Sequence, residues 1–248
     1  MVSAEQTGRG GAVGTGAAVG RLGAVRAVLW LVAAVLAVRQ VAVALGTPRG
    51  EALTDLTRFT GTPFGGLVLK PLTRTAEEAL GWGWTFGTLL LVVALGLVAA
   101  RALPGPATRR TALLAAPVAI TLLMLSLPVR NTLYLGQTSV LPVLLVLVGC
   151  FLVRGERAGG VCVGLAAAFQ PTVLLFVVLL WFTDRRRAAA STGITFAAAT
   201  APAWVALPHD SYTYWVHHLA GVGLGGRADD LANQSLHGAL LRFGLTGP

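Results

Sequence analysis

The last forty residues of this 248-residue chain contain all of its histidines, set among aromatic and amide side chains. These histidines are His209, His217, His218 and His237. Imidazole groups can form hydrogen bonds, transfer protons or bind metal ions. His217 and His218 are adjacent, so on a helix they would point about 100° apart and could not readily share a metal ion. No cysteine or suitably spaced carboxylate accompanies them, so we expect no metal site and infer hydrogen bonding to a ligand.

Composition indicates what surrounds these polar groups. The chain is 55% hydrophobic and only 12% charged, whereas soluble domains carry about 25% charged residues. Apolar runs of roughly 20 residues predict membrane spans. Because hydrocarbon does not solvate polar side chains, the histidine-rich segment must line water, a cavity or a partner.

The net charge of +9 comes almost entirely from arginine, since Lys70 is the only lysine. The arginines stand at the ends of apolar runs, as cytoplasmic anchors do. We therefore expect membrane lipids as partners and no nucleic acid.

The pattern predicts an all-α, polytopic transmembrane helix bundle with about five to seven membrane helices. Residues 1–20 are predicted to form a disordered cytoplasmic tail. Residues 21–248 are predicted to form a membrane domain that continues beyond the chain's end. A cleaved signal peptide is the alternative for the first apolar run. The N-terminus is expected in the cytoplasm and the protein in the cytoplasmic membrane. Predicted spans cover about residues 25–45, 82–100, 111–127, 140–153 and 188–207.

The apolar run 159–183 poses a problem of orientation. With a cytoplasmic tail, the arginines just before the run are inside, and a single crossing would place Arg185–Arg187 outside, against the positive-inside bias. A break at Gln170-Pro171 resolves this, because proline interrupts a helix and disfavours it in the preceding residue. Two half-length helices would then form a hairpin, with Gln170 facing a cavity. One kinked helix is the alternative.

Under the hairpin topology, the three most polar inter-span segments share the outer face. They are residues 46–79, 130–139 and 208–242. This convergence is what an extracytoplasmic active site needs.

Four local patterns in this order resemble glycosyltransferase family 87, one of the membrane glycosyltransferases of the GT-C class. Together they cover about residues 50–245. The patterns are Phe59-Thr-Gly-Thr-Pro-Phe64 with Leu69-Lys-Pro-Leu72, Leu135-Gly-Gln-Thr-Ser-Val-Leu141, Gly164-Leu-Ala-Ala-Ala-Phe-Gln-Pro171, and Asn233-Gln-Ser-Leu-His-Gly238. The sequence departs from the family pattern in two places: Thr138-Ser139 stands where the family often has Asn, and Gln170 where it often has Lys.

The resemblance implies transfer of a sugar, such as mannose or arabinofuranose, from a polyprenyl-phosphate donor to a glycolipid or glycan. Such enzymes need no resident cofactor, because the lipid phosphate is itself the leaving group. The class uses an acidic residue of the first outer loop as catalytic base, and Asp55 is the best match. Glu51 is its nearest competitor, and a solvated loop carboxylate is the alternative for Asp55.

Other residues have two interpretations each. Arg58, Lys70 and Arg130 could bind the donor phosphate or anchor the chain at the membrane interface. Gln137 could bind sugar or cap a helix. Tyr214 could belong to an interfacial aromatic belt or form a platform for sugar or prenyl groups. The cavity is further expected to include Gln170, His218, Asn233, Gln234 and His237.

Two other functions compete with sugar transfer. A transporter would show paired broken helices in two similar halves, and only one broken helix is evident. A non-catalytic scaffold could have kept the fold after losing part of the first loop around Asp55.

Overall fold

The computed structural model describes residues 10–46, 61–71, 77–102, 109–135, 138–218 and 236–244. Every regular element in these ranges is helical, which confirms the all-α prediction. The elements are α1 (Gly10–Leu45), α2 (Pro63–Leu69), α3 (Glu77–Arg101), α4 (Arg109–Leu125), α5 (Leu127–Leu135), α6 (Val140–Leu147), a π-helical turn (Val148–Leu152), α7 (Glu156–Phe169), a 3-10 turn (Pro171–Leu174), α8 (Leu175–Phe182), α9 (Arg186–Ala206), α10 (Pro208–Tyr212), a second π-helical turn (Thr213–His218) and α11 (Leu236–Arg242).

Within the described ranges, two helices are long and apolar enough to cross a membrane, Gly20–Leu45 of α1 and Ala79–Arg101 of α3. A third span results if the bent pair α4 and α5 is counted as one. Five to seven membrane helices therefore stay a prediction. Helix α1 begins at Gly10, so part of the segment expected to be a disordered tail is helical here. Alanine, a strong helix former, is frequent in that segment.

Helices α1, α3, α4 and α5 form the first half of the bundle. Their shared core includes Val92, Met124 and Leu133, none of which is accessible to solvent. Gly96 of α3 lies directly against α4, since an ideal Cβ at this position would be 2.5 Å from Cγ1 of Ile120. The absence of a side chain at Gly96 therefore sets the separation of the two helices.

A sharp bend of 63° separates α4 from α5 at Ser126. The backbone N–H of Ser126 still bonds to the Leu122 carbonyl at 3.0 Å, while Pro128 provides no N–H for the next turn. The sequence predicted a polar inter-span segment over residues 130–139. In the structure, the part of this segment up to Leu135 is helical and belongs to α5.

Helices α7 and α9 make the most extensive contact of any two described elements, and they run parallel. Gly160 faces the Ala188 carbonyl and Gly164 faces the Thr192 carbonyl, so contacts advance by four residues on both helices. The Thr192 hydroxyl donates to the Gly160 carbonyl at 3.1 Å. Small residues spaced by four allow such close backbone contact, which is the main source of helix association in a lipid environment.

The chain reverses between these two parallel helices. Helix α7 ends at Phe169, Gln170 is extended with φ −139° and ψ 101°, and Pro171 begins the returning segment. At the far end of the returning segment, the Arg185 side chain donates a hydrogen bond to the Cys150 carbonyl, which lies beside the start of α7. The break predicted at Gln170-Pro171 is therefore present, and the geometry is that of a hairpin rather than one kinked helix.

Candidate functional site

The short helix α2 attaches the first loop to the end of α7. Thr62 is fully buried and caps α2, because its Oγ1 accepts from the Gly65 N–H at 3.1 Å. The same hydroxyl donates to the Ala168 carbonyl at 2.5 Å. Phe64 packs edge-on against Phe169 with ring centroids 5.2 Å apart. The first and third sequence patterns, about 100 residues apart in sequence, are thus in direct contact.

A cavity of about 680 Å³ opens beside this contact. Val68 and Leu69 of α2 form one side, Phe169 of α7 another, and Thr138 and Leu141 border it at the start of α6. Three of the four sequence patterns therefore contribute to one cavity. The largest part of its wall comes from α3, through Ala79, Leu80, Gly83, Trp84, Gly87, Thr88, Leu90 and Leu91.

The cavity wall is mainly apolar, with a few polar groups. The Trp84 indole N–H is buried and has no hydrogen-bond partner among the described residues. Thr132 donates its hydroxyl to the Pro128 carbonyl at 2.9 Å. An apolar cavity with few polar groups suits a ligand that combines a long hydrocarbon chain with a polar end.

Arg130 lies on α5, two residues before Thr132, and is half-buried. Its Nε is inaccessible to solvent and has no hydrogen-bond partner in the part of the chain that the structure describes. An unpaired buried donor on a cation is costly, and an anionic ligand would remove that cost. Arg130 is not among the residues that border the cavity, so its proposed role as a phosphate ligand stays a prediction.

Lys70 and Gln170 each follow a residue that borders the cavity, Leu69 and Phe169, but neither borders it. Lys70 caps the C-terminus of α2, immediately after Leu69, and its side chain is exposed. Gln170 follows Phe169 at the bend, and its side chain is also exposed. The roles of both residues in ligand binding stay predictions.

Tyr214 lies in the second π-helical turn and is only 8% exposed. Its ring packs edge-on against Trp215 at 5.2 Å, and Trp215 contacts Phe196 of α9 at 5.9 Å. Burial raises the pKa of Tyr214 above its usual value, so the phenol stays protonated at neutral pH. Tyr214 does not border the described cavity.

The remaining predicted site residues cannot be placed from the described side chains. Asp55, Arg58, Gln137, Asn233 and Gln234 lie outside the described residues. His218 and His237 lie in described helices, but their side chains are outside the described part of the chain. The proposed roles of these seven residues stay predictions.

Sequence reasoning missed the structural role of Gln40. This residue is 4% exposed within the first span. Its Nε2 donates to the Met124 carbonyl at 3.3 Å, and its Oε1 accepts from the Tyr134 hydroxyl. Gln40 thereby connects α1 to both α4 and α5. Its partner on α5, Tyr134, directly precedes the second sequence pattern, which begins at Leu135. A lone amide inside an apolar run was the available signal.

Comparison with known proteins gives consistent results. The chain matches Glycosyltransferase family 87 over residues 59–248. It is 32% identical over 196 residues to the polyprenol-phosphate-mannose-dependent alpha-(1-2)-phosphatidylinositol mannoside mannosyltransferase of Mycobacterium tuberculosis (strain ATCC 25618 / H37Rv), covering 75% of this chain and 45% of the relative. The enzyme of the same name from Mycolicibacterium smegmatis (strain ATCC 700084 / mc(2)155) is 32% identical over 203 residues, with 75% and 44% covered.

This chain thus spans a little less than half the length of the curated relatives it matches. No solved structure is significantly similar. The family match covers more than half of the chain and includes all four sequence patterns. The chain therefore belongs to glycosyltransferase family 87.

Proposed function

We propose that this protein is a membrane mannosyltransferase. It takes mannose from a polyprenyl-phosphate donor and transfers it to a glycolipid or glycan acceptor on the extracytoplasmic face. Both curated relatives are named as polyprenol-phosphate-mannose-dependent enzymes that act on a phosphatidylinositol mannoside. Those names support the donor class and a lipid-linked acceptor.

The observation that carries the proposal is the meeting of three sequence patterns around one apolar cavity. Helix α2 is fixed to α7 through Thr62, Ala168 and Phe169, so this part of the first loop lies beside the cavity. A volume of about 680 Å³ is typical of small-molecule sites. The apolar wall fits part of a prenyl chain, while Lys70 and Gln170, which follow cavity-lining residues in the sequence, would supply polar groups for a phosphosugar.

The proposed chemistry assigns a role to each of the predicted site residues. Asp55, seven residues before Thr62, would accept the proton of the acceptor hydroxyl as that oxygen attacks the anomeric carbon. The bond from the anomeric carbon to the phosphate oxygen breaks, and the polyprenyl phosphate leaves with its negative charge. Arg58, Lys70 and Arg130 are proposed to stabilise that charge as phosphate ligands.

Amide, imidazole and aromatic groups would hold the sugars. Gln137 and Gln170 stand next to Thr138 and Phe169 in sequence, and these two residues border the cavity. The segment with His218, Asn233, Gln234 and His237 is assigned to the acceptor side, together with Tyr214. No resident cofactor or metal is required, because the donor supplies an activated sugar.

The test is mannose transfer by membranes that contain the full chain. Labelled mannosyl phosphoryl polyprenol is added, and the label in extracted glycolipid is measured. Because a positioned general base contributes about 10²–10⁴-fold, Asp55→Asn should lower transfer by at least about 100-fold. This variant should still bind the donor. Donor binding is measured as protection of the chain from thermal unfolding.

Asp184→Asn is the matched control. Asp184 is a 93% exposed carboxylate with φ 58°, a conformation that asparagine also tolerates. It lies in the turn before α9, near the start of α7, whereas the cavity borders the other end of α7, about 21 Å away along this 14-residue helix. Wild-type transfer in Asp55→Asn would refute the base assignment. Donor binding without any transfer by the wild-type chain would refute the enzyme proposal and favour the scaffold.

A further inference from the structure

Five arginines gather at the end of the molecule opposite the cavity. We name this surface the arginine end. It is formed by the α6–α7 connection and by the turn between α8 and α9. Its members are Arg154, Arg157, Arg185, Arg186 and Arg187.

Hydrogen bonds bring these sequence-distant arginine segments close together in space. The Arg157 carbonyl accepts from the Ser191 hydroxyl at 2.8 Å, and Ser191 lies one helical turn after Arg187. Arg185 donates from Nη1 to the Cys150 carbonyl at 3.4 Å. The parallel pairing of α7 and α9 therefore brings the two arginine segments together at one end.

Positive charge at the arginine end exceeds negative charge. Residues 154–187 contain five arginines and two carboxylates, Glu156 and Asp184, which leaves a net charge of +3. Asp184 is 4.0 Å from the Arg186 guanidinium, with both side chains largely exposed. Such a long, exposed pair neutralises little charge. Arg154, Arg157 and Arg187 are exposed and take part in no ion pair among the described residues.

Large apolar side chains border the arginines directly. Trp181 and Phe182 at the end of α8 are 52% and 80% exposed, and Phe151 in the first π-helical turn is 61% exposed. The Arg186 guanidinium lies over the Trp181 ring, 5.4 Å from its centroid. Tryptophan and arginine side by side are typical of the headgroup level of a membrane.

We propose that the arginine end is a binding site for the phosphate headgroups of anionic phospholipids. The exposed guanidinium groups bind the phosphate oxygens, and the apolar side chains contact the first methylene groups of the acyl chains. A nucleic acid offers phosphate without hydrocarbon and would leave Trp181 and Phe182 uncovered. The site is independent of sugar transfer and lies at the other end of α7 from the cavity.

Tryptophan fluorescence tests this site directly. The variant for this test keeps Trp181 as its only tryptophan. Phe replaces the other five, which are Trp30, Trp82, Trp84, Trp204 and Trp215. The full chain of this variant is reconstituted in phosphatidylcholine vesicles. Brominated phosphatidylglycerol should quench Trp181 fluorescence more than brominated phosphatidylcholine does. The association constant derived from the quenching should be about three- to fivefold higher for phosphatidylglycerol. The triple variant Arg154→Gln/Arg157→Gln/Arg187→Gln should reduce this ratio to about one.

Arg101→Gln is the matched control, since Arg101 is an exposed arginine at the end of a different span, α3. It should keep the wild-type ratio. If the tryptophan replacements prevent folding, the chain with its native tryptophans is heated in neutral detergent. Added phosphatidylglycerol should then raise its Tm more than phosphatidylcholine does, and the triple variant should lose the difference.

Three results would overturn the proposal. Equal quenching by both lipids is the first. A loss of selectivity in Arg101→Gln as large as in the triple variant is the second, because it would show a general charge effect. The third is binding of an oligonucleotide or inorganic phosphate with the same arginine dependence while the anionic lipid shows none.

Discussion

Gly160→Ala should weaken the contact between α7 and α9 because backbone atoms occupy the space that the new methyl group needs. An ideal Cβ at Gly160 would lie 2.3 Å from the Ala188 carbonyl oxygen and 2.8 Å from the Ser191 Cβ. Ordinary van der Waals contact begins near 3.4 Å, so the helices must separate locally by about 1.1 Å. The carbonyl belongs to helix α9 and cannot move alone.

The cost has two parts. Overpacking of a well-packed contact costs about 1–3 kcal/mol. Separation also lengthens the hydrogen bond from Thr192 to the Gly160 carbonyl, now 3.1 Å, and such bonds in membranes contribute about 0.6 kcal/mol on average. Alanine offsets roughly 0.5–1 kcal/mol through its better helix propensity. The expected net loss is about 1–3 kcal/mol, taking these ranges together.

The assay is reversible unfolding in mixed micelles, followed by far-UV circular dichroism as the denaturing detergent increases. Gly193→Ala is the matched control on the partner helix, because nothing lies within 4 Å of its ideal Cβ. This control should be neutral or slightly stabilising. If Gly160→Ala unfolds at the same detergent fraction as Gly193→Ala, the glycine face does not set the helix separation.

Three further predictions follow from other contacts. Gln40→Leu removes the partner of the Tyr134 hydroxyl and should lower stability by about 1–2 kcal/mol in the same assay; an unchanged transition would contradict the bridging role. Thr62→Val loses both a helix cap and the bond to α7, so transfer should fall several-fold while serine at this position restores it; failure of serine to rescue would refute the hydrogen-bond explanation. In a cysteine-free background, Arg186→Cys and Gln170→Cys should react with an impermeant reagent from opposite sides of the membrane; labelling of both from one side would refute the hairpin topology.

The hairpin was accessible from sequence because two independent signals agree on it. Pro171 interrupts the helix, and the charge bias requires both arginine groups on one side. The parallel packing of α9 against α7 could not be predicted from the sequence. Which glycine faces which carbonyl depends on the register between α7 and α9, and the sequence spacing of Gly160 and Gly164 does not name the partner helix.

The cavity was only half predictable. Topology alone placed the first loop and the segment near Thr138 on one side, and both border the cavity. The longest part of the wall, however, comes from α3, where Trp84 and Thr88 looked like ordinary residues of a span. Helix α3 has no marked apolar face, so nothing in its sequence distinguishes the side that lines a cavity from the side that meets lipid.

Helix α7 joins the two proposed sites, and this explains why its sequence carries so many small residues. Its final turn receives α2 through the Ala168 carbonyl and Phe169, while its first turn lies beside Arg185. Between the two ends, Gly160 and Gly164 let the backbone of α7 lie directly against the backbone of α9. A larger residue on this face would move α9 and the arginines at its start relative to α7. The small residues of α7 therefore serve the geometry of both ends of the molecule, not only the local packing of one helix pair.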